Sequence, residues 1–183
     1  MTFAPGVLSA DAGRVAYDII VRAVDDARRG GVAAIATAPI NKEAFRLAGL
    51  PWAGHTDLLA HLTAAREVAM MFHSGSLRVV LATIHIPLAD VPRALTGRLM
   101  ESTIALTDRE FSKYGRALSL PKNGARPRIA VAGLNPHAGE HGLFGREDTD
   151  VILPAVASCR ARGIDVAGPF PADTLFVRAS RGE

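Results

Sequence analysis

Apolar positions along the chain change period several times, and the changes divide it into helices and strands. From Asp11 to Arg29 the apolar residues Val15, Ile19, Ile20, Ala23, Val24 and Ala27 recur at helical spacing and stop at Gly30-Gly31. Val32 to Ala38 is a short apolar run of the kind that forms a buried strand. Asn41 to Ala48 predicts a short helix closed by Gly49, and Thr56 is placed to cap a helix from Asp57 to about Ala65. Val68–Phe72 and Leu77–Ile86 read as two strands around Ser74-Gly75-Ser76, hence a hairpin. Thr96 caps a long helix over Gly97–Tyr114, with Leu99, Ile104, Leu106 and Phe111 facing inward. A surface loop follows over Pro121–Pro127, then a strand over Arg128–Leu134, a helix over Glu147–Arg162 ended by Gly163, and a strand over Ile164–Ala167 that runs into Gly168-Pro169-Phe170-Pro171. Strands alternating with helices predict a three-layer α/β/α sandwich whose sheet is mostly parallel with some antiparallel pairing.

Composition narrows this without changing it. The 183 residues, 49% of them apolar and only 5% aromatic, suit one α/β domain or a large part of a bigger one, with an aliphatic core. Eighteen of the 21 basic residues are arginine, the formal charge is +3, and the basic residues are scattered, with Arg28-Arg29 the longest run. That is a mildly basic solvated surface and not a nucleic-acid footprint. The single cysteine, Cys159, excludes a disulfide framework and a cysteine zinc cluster, and its place in a helical pattern reads as a small buried hydrophobe. No apolar run approaches the roughly 18 residues of a membrane span. The N-terminus carries no secretory pattern, so a cytoplasmic, reducing setting is expected.

Candidate chemistry sits where strands give way to loops, the place where open α/β sheets bind ligands. His85, in Ala82-Thr83-Ile84-His85-Ile86-Pro87, and His137, in Leu134-Asn135-Pro136-His137-Ala138-Gly139-Glu140, each follow an apolar run beside a proline. A lone strand histidine is ordinarily a satisfied core residue, whereas His137 lies in a glycine-containing loop. Together the two imidazoles suggest a divalent metal site that needs a further ligand. His55, after Gly54 and before Thr56, stands where a helix N-terminus binds an anion or hydroxyl, although an exposed histidine beside a simple cap fits equally well. Gly139, Gly142 and Gly145 precede a helix with a spacing unlike the dinucleotide fingerprint and read as a flexible loop. Asp173 reads as a turn aspartate that could act as a base near a metal or polyol. His141 is a weak candidate, and His61 and His73 carry no assigned role.

Taken in order, Thr37-Ala38-Pro39-Ile40-Asn41-Lys42, Gly54-His55-Thr56-Asp57, Ala82-Thr83-Ile84-His85-Ile86-Pro87-Leu88, Leu134–Glu140 and Gly168-Pro169-Phe170-Pro171-Ala172-Asp173-Thr174-Leu175-Phe176 resemble the 4-hydroxythreonine-4-phosphate dehydrogenase (PdxA) family of vitamin B6 synthesis. The resemblance covers nearly the whole chain. It implies an isocitrate/isopropylmalate-dehydrogenase-like fold, with residues 1–183 as the central part of such an enzyme and no complete second domain. It implies a homodimer with its active site at the subunit interface; the scattered charge and the lack of a long apolar run already argue against a nucleic-acid or membrane partner. The reaction implied is NAD- or NADP-linked oxidation of a small phosphorylated hydroxy-amino acid, 4-phosphooxy-threonine, with decarboxylation to 3-amino-2-oxopropyl phosphate, assisted by zinc, magnesium or cobalt. His85 and His137 fall on metal-binding positions, His55 and Thr56 on the substrate-binding pair, and Asp173 on an acidic residue beside the substrate hydroxyl. The third metal histidine and the phosphate-binding residues are expected beyond Glu183, and an early βα unit before residue 1. Alternatives are a sister dehydrogenase acting on a four-carbon sugar-acid phosphate or a cyclic dihydrodiol carboxylate, and an inactive remnant.

Overall fold

A computed structural model describes residues 6–75, 77–114 and 126–181. Ser76 of the expected hairpin turn and most of the Pro121–Pro127 loop lie outside the described residues. The chain divides into two compact units, 1–68 and 69–183.

The first unit is helical. Helix α1 (Ala10–Arg28) begins where the Ser9 hydroxyl accepts the Ala12 N–H at 3.1 Å, and Asp11 stands in its first turn, at the positive end of the helix dipole. Helix α2 (Lys42–Leu47) is capped in the same way, with Ala44 N–H donating to Asn41 Oδ1 at 3.0 Å. Helix α3 spans His55–Thr63. Ile20, Val24, Phe45 and Leu58 are the buried centre, and Tyr17 stacks on Trp52 beside it at 5.3 Å. Two expectations change here. Residues 32–38 form no ladder with any described segment, and Val32 is exposed; a strand exists only with a partner to accept and donate its hydrogen bonds. Thr56 does not cap α3, because the helix starts two residues earlier than the Thr-Asp pattern suggests. Gly54 is the N-cap, its carbonyl accepts Leu58 N–H at 3.2 Å, and Thr56 lies inside the first turn.

The second unit is mixed α/β. Strands β1 (Met71–Ser74) and β2 (Leu77–Val80) form the expected antiparallel hairpin. Strand β2 stops at Val80, so Leu81–Ile86 is not strand and His85 lies beyond the ladder. Helix α4 (Val91–Ala94) is one turn. Helix α5 (Gly97–Tyr114) is capped by Thr96, whose hydroxyl accepts Leu99 N–H at 3.1 Å. Its buried stripe is Met100, Ile104, Asp108 and Phe111, with Leu99 and Leu106 only half-buried. Strands β3 (Ile129–Ala132) and β4 (Val166–Phe170) pair in parallel across helix α6 (Leu153–Ala161), which begins in a π turn at Asp148–Ile152. Helix α7 (Ala172–Ser180) follows β4 directly. The core of this unit gathers Leu95, Met100, Ile104, Val131, Ile152, Ala155, Val156, Cys159 and Val166. Parallel pairing across a helix and antiparallel pairing in a hairpin are both present, but among the described residues they form two separate two-stranded sheets and not the one mostly parallel sheet expected.

The β3–β4 ladder is irregular at one place. Ala130 pairs with Ala167 and Ala132 with Phe170, so Gly168 and Pro169 together stand opposite Val131. This is a bulge, and Pro169, which has no N–H to donate, is tolerated there. Gly168 has φ +137°, and a Cβ on it would lie 2.6 Å from the Val131 carbonyl oxygen. Only glycine fits both the backbone angle and the close approach.

Candidate functional site

His137 and its surroundings are built from the end of β3. After Ala132 the chain passes through Gly133, Leu134 and Asn135 into a short turn over Pro136–Gly142. Inside it His137, Ala138, Glu140 and His141 all have φ between 43° and 56°, and Gly139 and Gly142 have φ +84° and +98°. The segment read from sequence as a flexible glycine loop is a run of left-handed backbone. For side-chain-bearing residues this costs about 1–2 kcal/mol each, or about 4–8 kcal/mol over the four.

What holds the turn is a carboxylate that sequence reasoning did not single out. Asp148 is fully buried. Its Oδ1 accepts Leu134 N–H at 2.8 Å, and its Oδ2 accepts Asn135 N–H and Asn135 Nδ2, each at 3.0 Å. These three hydrogen bonds tie residues 134 and 135 to one buried side chain and oppose the strain of the turn that follows. The same Asn135 amide donates to Glu147 Oε2 at 2.8 Å, and this bond, ahead of backbone N–H groups, holds the Glu147 carboxyl below its usual range. A signal for Asp148 was present in the sequence. It shares a helical stripe with Ile152, Ala155, Val156 and Cys159, all buried, and a charged residue on an apolar stripe requires partners.

His85 is also left-handed, with φ 56°, and exposed. His137 is exposed as well, and its ring lies 6.3 Å from that of Phe144. Asp173 stands in the first turn of α7, exposed, where its Oδ1 accepts Thr174 N–H at 2.9 Å. Helix α7 packs against β2, β3 and the left-handed turn. It thereby joins the strand that leads towards His85 to the turn that carries His137. Two solvent-facing imidazoles offer two nitrogen ligands, a set that suits a divalent transition ion but does not complete its shell. Among the described residues no three His, Cys, Asp or Glu side chains converge as a metal-binding group.

In the first unit, His55 is the opening residue of α3 and half-buried, not exposed. Its Nε2 is buried without a hydrogen-bond partner among the described residues. An orphaned buried nitrogen costs about 1–3 kcal/mol, which a bound hydroxyl or anion would recover. Thr56, released from capping, is half-buried beside it. His61 lies within α3, tilted against Trp52 at 5.2 Å, and His73 lies within β1. Neither takes part in the arrangement. Cys159 is fully buried, as its helical pattern implies.

Comparisons with known proteins bear on the family of the chain. The chain is 46% identical over 186 residues to 4-hydroxythreonine-4-phosphate dehydrogenase of Beijerinckia indica, covering 98% of this chain and 51% of the relative. It is 45% identical over 178 residues to D-threonate 4-phosphate dehydrogenase of Salmonella typhimurium, covering 97% and 52%. The crystal structure of 4-hydroxythreonine-4-phosphate dehydrogenase from Klebsiella pneumoniae superposes with a TM-score of 0.87 at 46% identity, over 98% of this chain and 52% of that one. A terephthalate 1,2-cis-dihydrodiol dehydrogenase from Burkholderia xenovorans LB400 superposes with a TM-score of 0.64 at 32% identity, over 96% and 54%. The chain thus spans about half the length of the curated relatives it matches. The family described as "Pyridoxal phosphate biosynthetic protein PdxA" matches residues 1–183, and the chain belongs to that family.

Proposed function

We propose that the chain is the central part of a metal-dependent, NAD- or NADP-linked dehydrogenase that oxidises the secondary alcohol of 4-phosphooxy-threonine, with decarboxylation to 3-amino-2-oxopropyl phosphate. The observation that carries the reading is the pair of imidazoles, His85 and His137, each on left-handed backbone, His85 five residues beyond β2 and His137 in the turn after β3, with β2 and that turn both packed on α7, whose first turn carries Asp173. Backbone held in such strained regions is concentrated at functional sites. His85 and His137 would hold a divalent cation (zinc, magnesium or cobalt), which when bound supplies Lewis-acid polarisation of the substrate oxygens. Asp173 would accept the hydroxyl proton through its exposed carboxylate. His55 Nε2 and the Thr56 hydroxyl would bind and orient the substrate's polar groups, which satisfies the orphaned nitrogen of His55. The wider protein would be an isocitrate/isopropylmalate-dehydrogenase-like α/β/α sandwich that works in the cytoplasm as a homodimer with its active site at the interface.

A second reading, oxidation of D-threonate 4-phosphate, is favoured by the relatives of nearly equal identity that carry that name. The two substrates differ at C2, amine against hydroxyl. The test offers both to the protein at the full length its gene encodes, with NAD or NADP and a divalent cation, and follows reduced nicotinamide. Turnover of the amino acid above the sugar acid supports the first reading, and the reverse order selects the second. Turnover that survives both exhaustive chelation and His137→Ala rejects the metal-dependent mechanism for either.

A further inference from the structure

We infer that Asp148 is a positioning residue of the candidate metal centre: by fixing the backbone on either side of His137 it aims that imidazole. This rests on the metal-binding role proposed above for His137. Asp148 touches neither the imidazole nor solvent. It acts from the start of the helical segment that ends in α6, and reaches back 13 and 14 residues to the N–H groups of Asn135 and Leu134. The approach is close on both sides of the turn. A Cβ on Gly133 would lie 2.8 Å from Asp148 Oδ1, and one on Gly139 would lie 3.5 Å from Asp148 Cβ. Residues 133–135 before His137 and Gly139 after it are therefore both seated on the same side chain. His137 stands between two anchored points, on a backbone conformation it would not adopt unaided. Asn135 extends the clamp to Glu147 at 2.8 Å, so two successive carboxylates grip one amide. A histidine whose Cα is fixed has fewer ways to point its ring, and outer-shell partners of metal ligands commonly control affinity by about tenfold to a hundredfold.

The experiment compares wild type, Asp148→Asn, Gly133→Ala and His137→Ala, each at the full length its gene encodes, in three measurements. These are cobalt(II) affinity by titration, kcat and KM across cobalt(II) concentration, and amide hydrogen exchange at Leu134 and Asn135. Asp148→Asn keeps the shape but replaces one acceptor oxygen with a donor, which in either amide orientation faces at least one N–H group. Gly133→Ala leaves the carboxylate intact and forces it and the turn apart, since the added Cβ would lie 2.8 Å from Asp148 Oδ1 and 2.9 Å from Ala138 Cα. Both variants are expected to exchange faster at Leu134 and Asn135 and to bind cobalt(II) about tenfold to a hundredfold more weakly. Excess cobalt(II) is expected to restore kcat in both, a recovery that loss of folding would not show. Wild-type cobalt(II) affinity in Asp148→Asn, with weakened binding in His137→Ala, overturns the positioning role and leaves the metal reading intact. Unchanged affinity in His137→Ala overturns the metal reading and the inference with it. If Asp148→Asn does not fold, Gly133→Ala decides: weakened, cobalt-rescued activity supports the inference, and wild-type affinity despite faster exchange overturns it.

Discussion

Gly168→Ala tests whether the bulge in the β3–β4 pair is as tight as the geometry states. Two costs add. Alanine is not at ease at φ +137°, which costs about 1–3 kcal/mol. Its Cβ would stand 2.6 Å from the Val131 carbonyl oxygen and 3.0 Å from Val131 Cβ, an overpacking that costs about another 1–3 kcal/mol. The expected loss is about 2–6 kcal/mol, out of a typical total stability of about 5–15 kcal/mol. For a chain of this size that lowers the melting temperature by roughly 4–24 °C. Gly163→Ala is the internal control. Gly163 ends α6 at φ +84°, and a Cβ added there would meet nothing within 4 Å, so only the conformational cost of about 1–2 kcal/mol applies. Urea unfolding followed by circular dichroism measures both variants. If Gly168→Ala loses no more stability than Gly163→Ala, the close approach between the two strands is refuted. The consequence reaches the site, because Gly168 opens the segment that leads through Pro171 into α7 and Asp173.

Two further predictions concern the same unit. The Glu147 carboxyl is held below its ordinary value of 4.5 chiefly by the Asn135 amide, so its stabilising contribution is complete above 4.5 and is lost as pH falls through the lowered folded value. In Asn135→Ala a carboxyl-detected NMR titration of Glu147 should show the midpoint rising towards 4.5; an unmoved midpoint removes Asn135 as the cause. Val156 is fully buried at the centre of the core, and Val156→Ala should cost about 2 kcal/mol in urea unfolding with an unchanged denaturant slope, whereas a loss below about 0.5 kcal/mol would place it outside the core.

Much of this was legible in the sequence, for identifiable reasons. Helix α1 has an apolar period and closing glycines, and each is a local signal that needs nothing from the rest of the molecule. Thr96 and Gly163 punctuate α5 and α6 in the same way. The failures are of two kinds. Val32–Ala38 has the composition of a buried strand, but composition does not say where a ladder partner comes from, and no described segment supplies one. Thr56-Asp57 has the chemistry of a cap, yet a hydroxyl able to cap does not oblige the helix to begin there, and the chain turns helical at His55. The overlong reading of β2 has the same origin, since the β-branched run Val79–Ile86 continues past the point at which Met70 and Leu81 make the last bond.

The left-handed backbone was the least legible feature, and it separates the histidines from one another. Six histidines look alike in a sequence. His61 sits in regular helix and His73 in regular strand, where no strain is stored. His85, His137 and His141 sit at φ 53–56°, where glycine or asparagine would cost less. Strain alone does not mark a ligand, because Ala64 at φ 54° does no more than end α3. His137 differs in what surrounds it. A fully buried carboxylate makes three hydrogen bonds to hold its turn, and glycines at 133 and 139 leave room for that carboxylate. A connecting loop could reach the next helix without such support, by taking ordinary backbone angles. That the chain instead keeps a fully buried carboxyl group, hydrogen-bonded three times, beside this turn is the physical ground for treating His137, ahead of His141, as the imidazole whose direction matters.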